Sequence, residues 1–291
     1  MPKNLIMLLI AAIAGASALA AEAPRRILWF GNSFTMQKDI SRRFADLAEL
    51  AGHPRPVIVT ELSGGTTVAW HLEKALTNEE ASVSHPAAGG DFTDVVIQGH
   101  SLDATSKRGV AVDAPGGFFE SVENLYALVR SKPNGAKARC ILYETWARHP
   151  SHKDYPKLFA DADAMQSEIT VNYAKAADRL AAKWGAQSVA VAPCGQAFRR
   201  LGYARDLYST DCYHQGGIAA QLLAMQLFDT VYGESAAAKV DFASASAAKW
   251  TGTLCVHKDG KEHPYELTEH DWRRICSAVN HDKERRTPCG K

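Results

Sequence analysis

Short apolar runs and longer amphipathic segments take turns along most of this chain, and that alternation leaves few ways to fold it. RILWFG (26–31), VIVTEL (57–62), DVVIQG (94–99), ARCILYETW (138–146) and SVAVAPCG (188–195) read as five strands. Between them apolar residues recur at helical spacing. Ile40, Phe44, Leu47 and Leu50 are closed by Gly52; further helices are expected from Thr67 to about Leu76, from Phe118 to Val129 and from Tyr155 to Trp184. A last one, rich in Ala, Leu and Met, runs from Gly217 to about Tyr232. Strands separated by helices are joined by right-handed crossovers, so the sheet is parallel and covered on both faces. The pattern predicts a flavodoxin-like three-layer α/β/α sandwich around a five-stranded parallel sheet. Ligands of such a sheet sit beyond the carboxyl ends of its strands.

After Tyr232 the rhythm weakens. Residues 233–250 are rich in Ala and Ser, and TEHDWRRICSAVNHDKE reads as one helix starting near Thr268. Residues 233–291 are therefore expected to pack as a short C-terminal appendage on the main domain (25–232), being too few to build a good core alone. The Pro/Gly-rich segments 85–91 and 114–117 read as loops.

Residues 1–20 stand apart from the fold. Lys3 gives a positive start, Leu5 to Ile13 an apolar core, and Ala18-Leu19-Ala20 small residues at cleavage-site spacing. This is the pattern of a secretory signal peptide cut after Ala20, with Ala23 as the other site, and the expected location is the periplasm or the medium. No later apolar run is long enough to cross a bilayer. The formal charge of +1 falls to zero without Lys3, which offers no hold on nucleic acid or an anionic membrane. Six cysteines in an exported chain invite disulfides. Cys140, inside an apolar run, reads as a buried thiol. Cys194 and Cys212 lie on loops near one sheet edge and could pair, and Cys255, Cys276 and Cys289 could share one bridge in the tail.

The first strand ends in Gly31-Asn32-Ser33, and Ser33 stands at the entry to a helix. Two readings compete there. Serine is a favoured N-cap; equally, a serine at this edge is exposed and has its own N–H beside the positive end of a helix dipole, ready for a developing oxyanion. A serine hydroxyl needs a base to become a nucleophile. Asp211-Cys212-Tyr213-His214 supplies a candidate, since an acid three residues ahead of a histidine can hold Nδ1–H and leave Nε2 for the serine. The bland alternative is a capping aspartate with a surface histidine. Ser33 follows the first strand and DCYH the fifth, so both can approach one edge.

In these blocks the chain resembles the SGNH hydrolase superfamily, the GDSL-like esterases, and within it an exported branch with a GNSFT start. The resemblance spans about residues 25–232. It implies Ser33 as nucleophile and Asp211 and His214 as its partners, with Asn32 where many members carry aspartate. It implies an oxyanion hole formed by the N–H of Ser33, the N–H of a second-block glycine in LSGGTTV (Gly65, or Gly64) and a third-block side chain. That block departs from the usual G-x-N-D, reading Gln98-Gly99-His100-Ser101-Leu102. Gln98 offers the same amide chemistry, with Ser101 as the alternative. Losing one such donor costs about 3–4 kcal/mol of transition-state stabilisation. The implied activity is cofactor-free and metal-free ester hydrolysis through an acyl-enzyme, on an O-acetylated carbohydrate. The alternatives are a short-chain ester or lipid hydrolase, or a catalytically weak carbohydrate-binding protein on the same fold.

Other features carry less. His149 and His152 flank Pro150 in a loop and read as solvent-facing rather than as a metal pair, and His257, His263 and His270 are too widely spaced for a zinc signature. No phosphate-binding glycine motif follows a strand. Tyr143, Trp146 and Tyr213 lie near the expected site, either as a sugar-stacking wall or as packing, and His71 reads as a helix-face residue.

Overall fold

The computed structural model describes residues 22–77, 91–107, 109–248, 255–258, 261–264 and 266–284; the expected leader lies outside the described residues. Five parallel strands form one sheet in the order β2-β1-β3-β4-β5. They are β1 (Arg26–Gly31), β2 (Val57–Leu62), β3 (Asp94–Gln98), β4 (Arg139–Tyr143) and β5 (Val189–Ala192). Phe30 pairs with Ile97 across β1 and β3, and Gln98 with Tyr143 across β3 and β4. β3 is buried at every residue, as expected of a strand covered on both faces.

The chain runs from β1 outward to β2, then turns back across β1 to β3, β4 and β5. With right-handed crossovers that reversal sends the first connecting helix to one face and the later ones to the other. α1 (Ser33–Met36) is a single turn after β1, and α2 (Ile40–Leu50) is the first crossover. α3 (Val68–Thr77), α4 (Phe118–Arg130) and α5 (Ala162–Trp184) follow in turn, α4 lying against both α3 and α5. After β5 come α6 (Cys194–Arg200) and α7 (Gly217–Tyr232), which is buried along nearly its whole length and returns to pack on α2. The reversal point lies between β1 and β3, and their carboxyl ends open the crevice where such sheets bind ligands.

Three expected elements are shorter in the structure. β4 stops at Tyr143 rather than Trp146. α5 begins at Ala162 rather than Tyr155, because Asp161 caps it by accepting the Ala164 N–H at 2.7 Å. The expected fifth strand also yields its last two residues to α6, since Pro193 ends the ladder and serves as the helix cap.

The tail adds α8 (Ala236–Lys239), α9 (Phe242–Ala247), an antiparallel hairpin of β6 (Cys255–Lys258) and β7 (Lys261–Pro264), and α10 (Glu269–Glu284). Leu267, Trp272, Ile275, Ala278 and Val279 are buried in the same core as the sheet. No helix among the described residues is long and apolar enough to cross a membrane.

Candidate active site

β1 delivers the serine to the sheet edge. The strand ends at Gly31, where an added Cβ would lie 2.8 Å from Thr35 Oγ1 and 2.9 Å from Gln98 Oε1, so no larger residue fits unless both shift. Asn32, not Ser33, is the helix cap: its Oδ1 accepts the Phe34 N–H at 3.0 Å. Capping therefore leaves the serine hydroxyl uncommitted. Ser33 is half-buried, and its Oγ lies 2.8 Å from His214 Nε2.

The histidine is held by its own turn. Asp211 Oδ1 accepts the backbone N–H groups of Tyr213 and His214, each at 2.9 Å, while Oδ2 meets His214 Nδ1 at 2.6 Å. One carboxylate thus builds the turn and orients the ring. Cys212 takes the tight left-handed corner (φ 58°). Nδ1 carries the proton toward the carboxylate, which directs the Nε2 lone pair to the serine hydroxyl. Partial burial alone would raise the Asp211 carboxyl, but hydrogen bonds from the His214 ring and the two backbone N–H groups outweigh it and bring the carboxyl down to about 2.

Phe34 packs edge-on to the His214 ring at 5.4 Å and stacks on Trp146 at 4.3 Å, which stacks in turn on Phe198 at 4.8 Å. Tyr143 and Trp146 are completely buried, so neither forms a sugar-stacking wall; they are the floor beneath the site. Tyr213 stays half-exposed at the rim, its ring 4.3 Å from that of His214.

Gly65 sits in the turn after β2 with φ 70°, a left-handed conformation that a side chain would strain. The N–H groups of Ser33 and Gly65 donate to no acceptor among the described residues. Gln98 departs from the expectation. Its Nε2 donates to Asn32 Oδ1 at 2.9 Å and to Gly99 O, and its Oε1 accepts the Asn32 N–H and the Thr35 hydroxyl, each at 3.0 Å. Fully buried, with both amide protons engaged, Gln98 has no donor left for an oxyanion. It is one half of a paired amide lock with Asn32, whose own Nδ2 reaches Thr66 O at 2.9 Å and Gly99 O at 3.4 Å. The Ser101 hydroxyl is buried and bonds to Tyr213 Oη at 3.3 Å. Beyond Thr66, a cavity of about 170 Å³ opens among Thr67, Val68, Asp103, Phe118 and Ser121.

Two contributors escaped the sequence reading. Asn32 ties the loops after β1, β2 and β3 together, and Gln215 ties the histidine to the serine. The buried Gln215 Nε2 donates to Phe34 O at 3.0 Å and Gln37 O at 2.6 Å, across 178 residues of chain or more. A glutamine directly after the DCYH histidine was the only cue, and nothing local marks it.

The remaining histidines and cysteines are more ordinary. His71 lies on the buried face of α3, with Nε2 at 3.0 Å from Gly31 O and 3.2 Å from Thr66 Oγ1; burial lowers its pKa to about 4. The loop histidines bond locally, His149 to Ser151 and His152 to Asp154 N–H. No group of three or more His, Cys, Asp or Glu among the described residues is arranged to hold a metal ion. Cys194 and Cys212 form no disulfide with one another among the described residues, and Cys140 is a buried thiol. Cys276 is also a thiol; Cys289 and the side chains of Cys255, His257 and His263 lie outside the described residues.

Solved structures share this architecture. A candidate SGNH hydrolase from Slackia heliotrinireducens is 24% identical, with a TM-score of 0.55 over 72% of this chain and 99% of its own. A lipase/acylhydrolase from Enterococcus faecalis is 17% identical, with a TM-score of 0.51 over 72% of this chain and 96% of its own. The fold is that of the SGNH hydrolases. A DUF4886 family protein from Bacteroides uniformis is 15% identical with a TM-score of 0.60, and the likeness covers 90% of this chain and 95% of its own. No family model and no curated protein matches the chain.

Proposed function

We propose that this chain is a serine hydrolase of carboxylic esters and that its substrate is an O-acetylated carbohydrate. The supporting observation is the unbroken hydrogen-bonded line from Ser33 Oγ through His214 to the Asp211 carboxylate, at 2.8 Å and 2.6 Å. Ser33 attacks the acyl carbonyl while His214 Nε2 takes its proton, and Asp211 balances the imidazolium that forms. The N–H groups of Ser33 and Gly65 receive the oxyanion. His214 then protonates the departing alcohol, leaving an acyl-serine, and a water activated by the same nitrogen releases the acid. The acetyl-carbohydrate assignment draws on the sequence resemblance and the expected leader.

The test is hydrolysis of p-nitrophenyl acetate, followed by a panel of acetylated polysaccharides and longer acyl esters. Ser33→Ala and His214→Ala are each expected to lower kcat by about 10⁴-fold or more. Equal release by the wild type and Ser33→Ala would refute the esterase; activity confined to longer acyl chains would refute the acetyl substrate.

A further inference from the structure

We propose that the C-terminal helix α10 is a working part of the candidate active site, with Arg274 a positioning residue for His214. This rests on the esterase reading of Ser33 and His214. The histidine sits at the tip of a closed loop, residues 205–216. Ser209 N–H donates to His214 O at 2.8 Å, Gly216 N–H to Leu207 O at 2.8 Å, and Tyr208 bridges to Gln215. A Cβ on Gly216 would lie 3.0 Å from Asp206 O and 3.2 Å from Tyr208 O, so the two legs of the loop touch backbone to backbone. Arg205 fills it from within, with Nη1 donating to Tyr208 O at 3.0 Å and Ser209 O at 2.9 Å, and Nη2 to Thr210 O at 3.4 Å. The tip of this loop is held by Trp146 Nε1 on Tyr213 O at 3.1 Å, by His149 N–H on Cys212 O at 3.0 Å and by Gln215 on the serine segment, and its foot has a grip of its own.

That grip comes from α10. Arg274 Nη1 and Nη2 reach the two carboxylate oxygens of Asp206 at 2.7 Å and 3.2 Å, a two-pronged contact that fixes orientation as well as distance. Arg274 itself stands on a fixed element. Thr268 and Asp271 cap α10 reciprocally, with Asp271 N–H on Thr268 Oγ1 at 3.2 Å and Thr268 N–H on Asp271 Oδ2 at 3.3 Å, while Trp272, Ile275 and Val279 bury its inner face. Arg274 therefore holds Asp206 from a helix anchored in the core, and Asp206 sets the loop that carries His214. Lysine, with a single point charge, cannot reproduce the fork.

Full-length Arg274→Ala, Arg274→Lys, Asp206→Asn and the exchanged pair Asp206→Arg/Arg274→Asp are compared with wild type in two assays. Amide hydrogen exchange is expected to quicken over residues 205–216 in the Ala and Asn variants while β1 and β3 keep wild-type protection. For p-nitrophenyl acetate, kcat is expected to fall about three- to tenfold with KM within twofold, partly restored in the Lys variant and in the exchanged pair. Unchanged exchange over 205–216 in folded Arg274→Ala overturns the brace even if the protein proves to have no esterase activity. Faster exchange with wild-type kcat overturns the positioning role. A wild type with no Ser33-dependent hydrolysis refutes the esterase reading instead, and the positioning role with it.

Discussion

At the residue scale, the chemistry depends on which side chain is left free, and here neighbouring residues free one another. Asn32 takes the cap that a serine would otherwise fill, and Ser33 is left facing His214. The serine and the D-x-x-H pair were legible in the sequence because their offsets from strand ends and from each other are local. Gln98 was misjudged because its role depends on Asn32, 66 residues away: an amide looks like an oxyanion donor until another amide is found across from it. His71 lies on α3 as its spacing predicts, but its burial depends on Gly31 O, 40 residues back, which nothing local marks. His71 also gives a pH signature. Its folded pKa of about 4 lies below the ordinary histidine value because burial disfavours the charged ring. Between pH 6.5 and 4 the unfolded chain takes up a proton that the folded one refuses, so stability is lost as pH falls through that window. Urea titrations at pH 7 and pH 4.5 should show about 2–3 kcal/mol of acid destabilisation from this group. The difference should shrink by that amount in His71→Gln, and an identical acid loss in both proteins would show that His71 is not the source.

At the scale of elements, strands and most helices were read within a few residues, since burial on two faces and burial on one leave different periods in the sequence. α6, the α5 start and the β6–β7 hairpin were not. The first two are set by single caps, Pro193 and Asp161, and the third interrupts a polar tail with no alternation of its own. The contact between elements that matters most for the site is also the least visible one. Gln215 clasps α1 from the loop ahead of α7, and its Nε2 spends both protons on carbonyls of the serine segment. Gln215→Leu keeps the bulk but removes both bonds, leaving the half-buried Gln37 O without this donor and Phe34 O with only the long contact from Tyr143 Oη at 3.5 Å, at about 1–3 kcal/mol in all. The expected result is a lower melting temperature together with a kcat loss of about tenfold or more, because the 2.8 Å serine–histidine contact loses its lateral tie. Wild-type kcat in a folded Gln215→Leu protein would mean that the His214 loop is held without it.

At the scale of the whole molecule, the sheet separates chemistry from anchorage, with the candidate site at the carboxyl ends and a charged knot at the amino ends. Asp94 opens β3 fully buried, with Oδ2 accepting from Arg25 at 3.0 Å and Oδ1 from Arg139 Nε at 3.0 Å. Arg139 continues to the last carbonyls of α7, Val231 O at 2.6 Å and Thr230 O at 3.5 Å. One carboxylate thus gathers β3, β4, α7 and the chain entering β1, at the edge away from Ser33. Asp94→Asn leaves two cations facing a neutral amide. A broken buried pair costs about 3 kcal/mol, or roughly 10 °C in Tm for a domain of this size. Because the knot and the site lie at opposite ends of the strands, that loss should leave kcat/KM for p-nitrophenyl acetate within about twofold at temperatures where the variant is folded. A matching fall in kcat/KM there would show that strain at one edge of the sheet reaches the other.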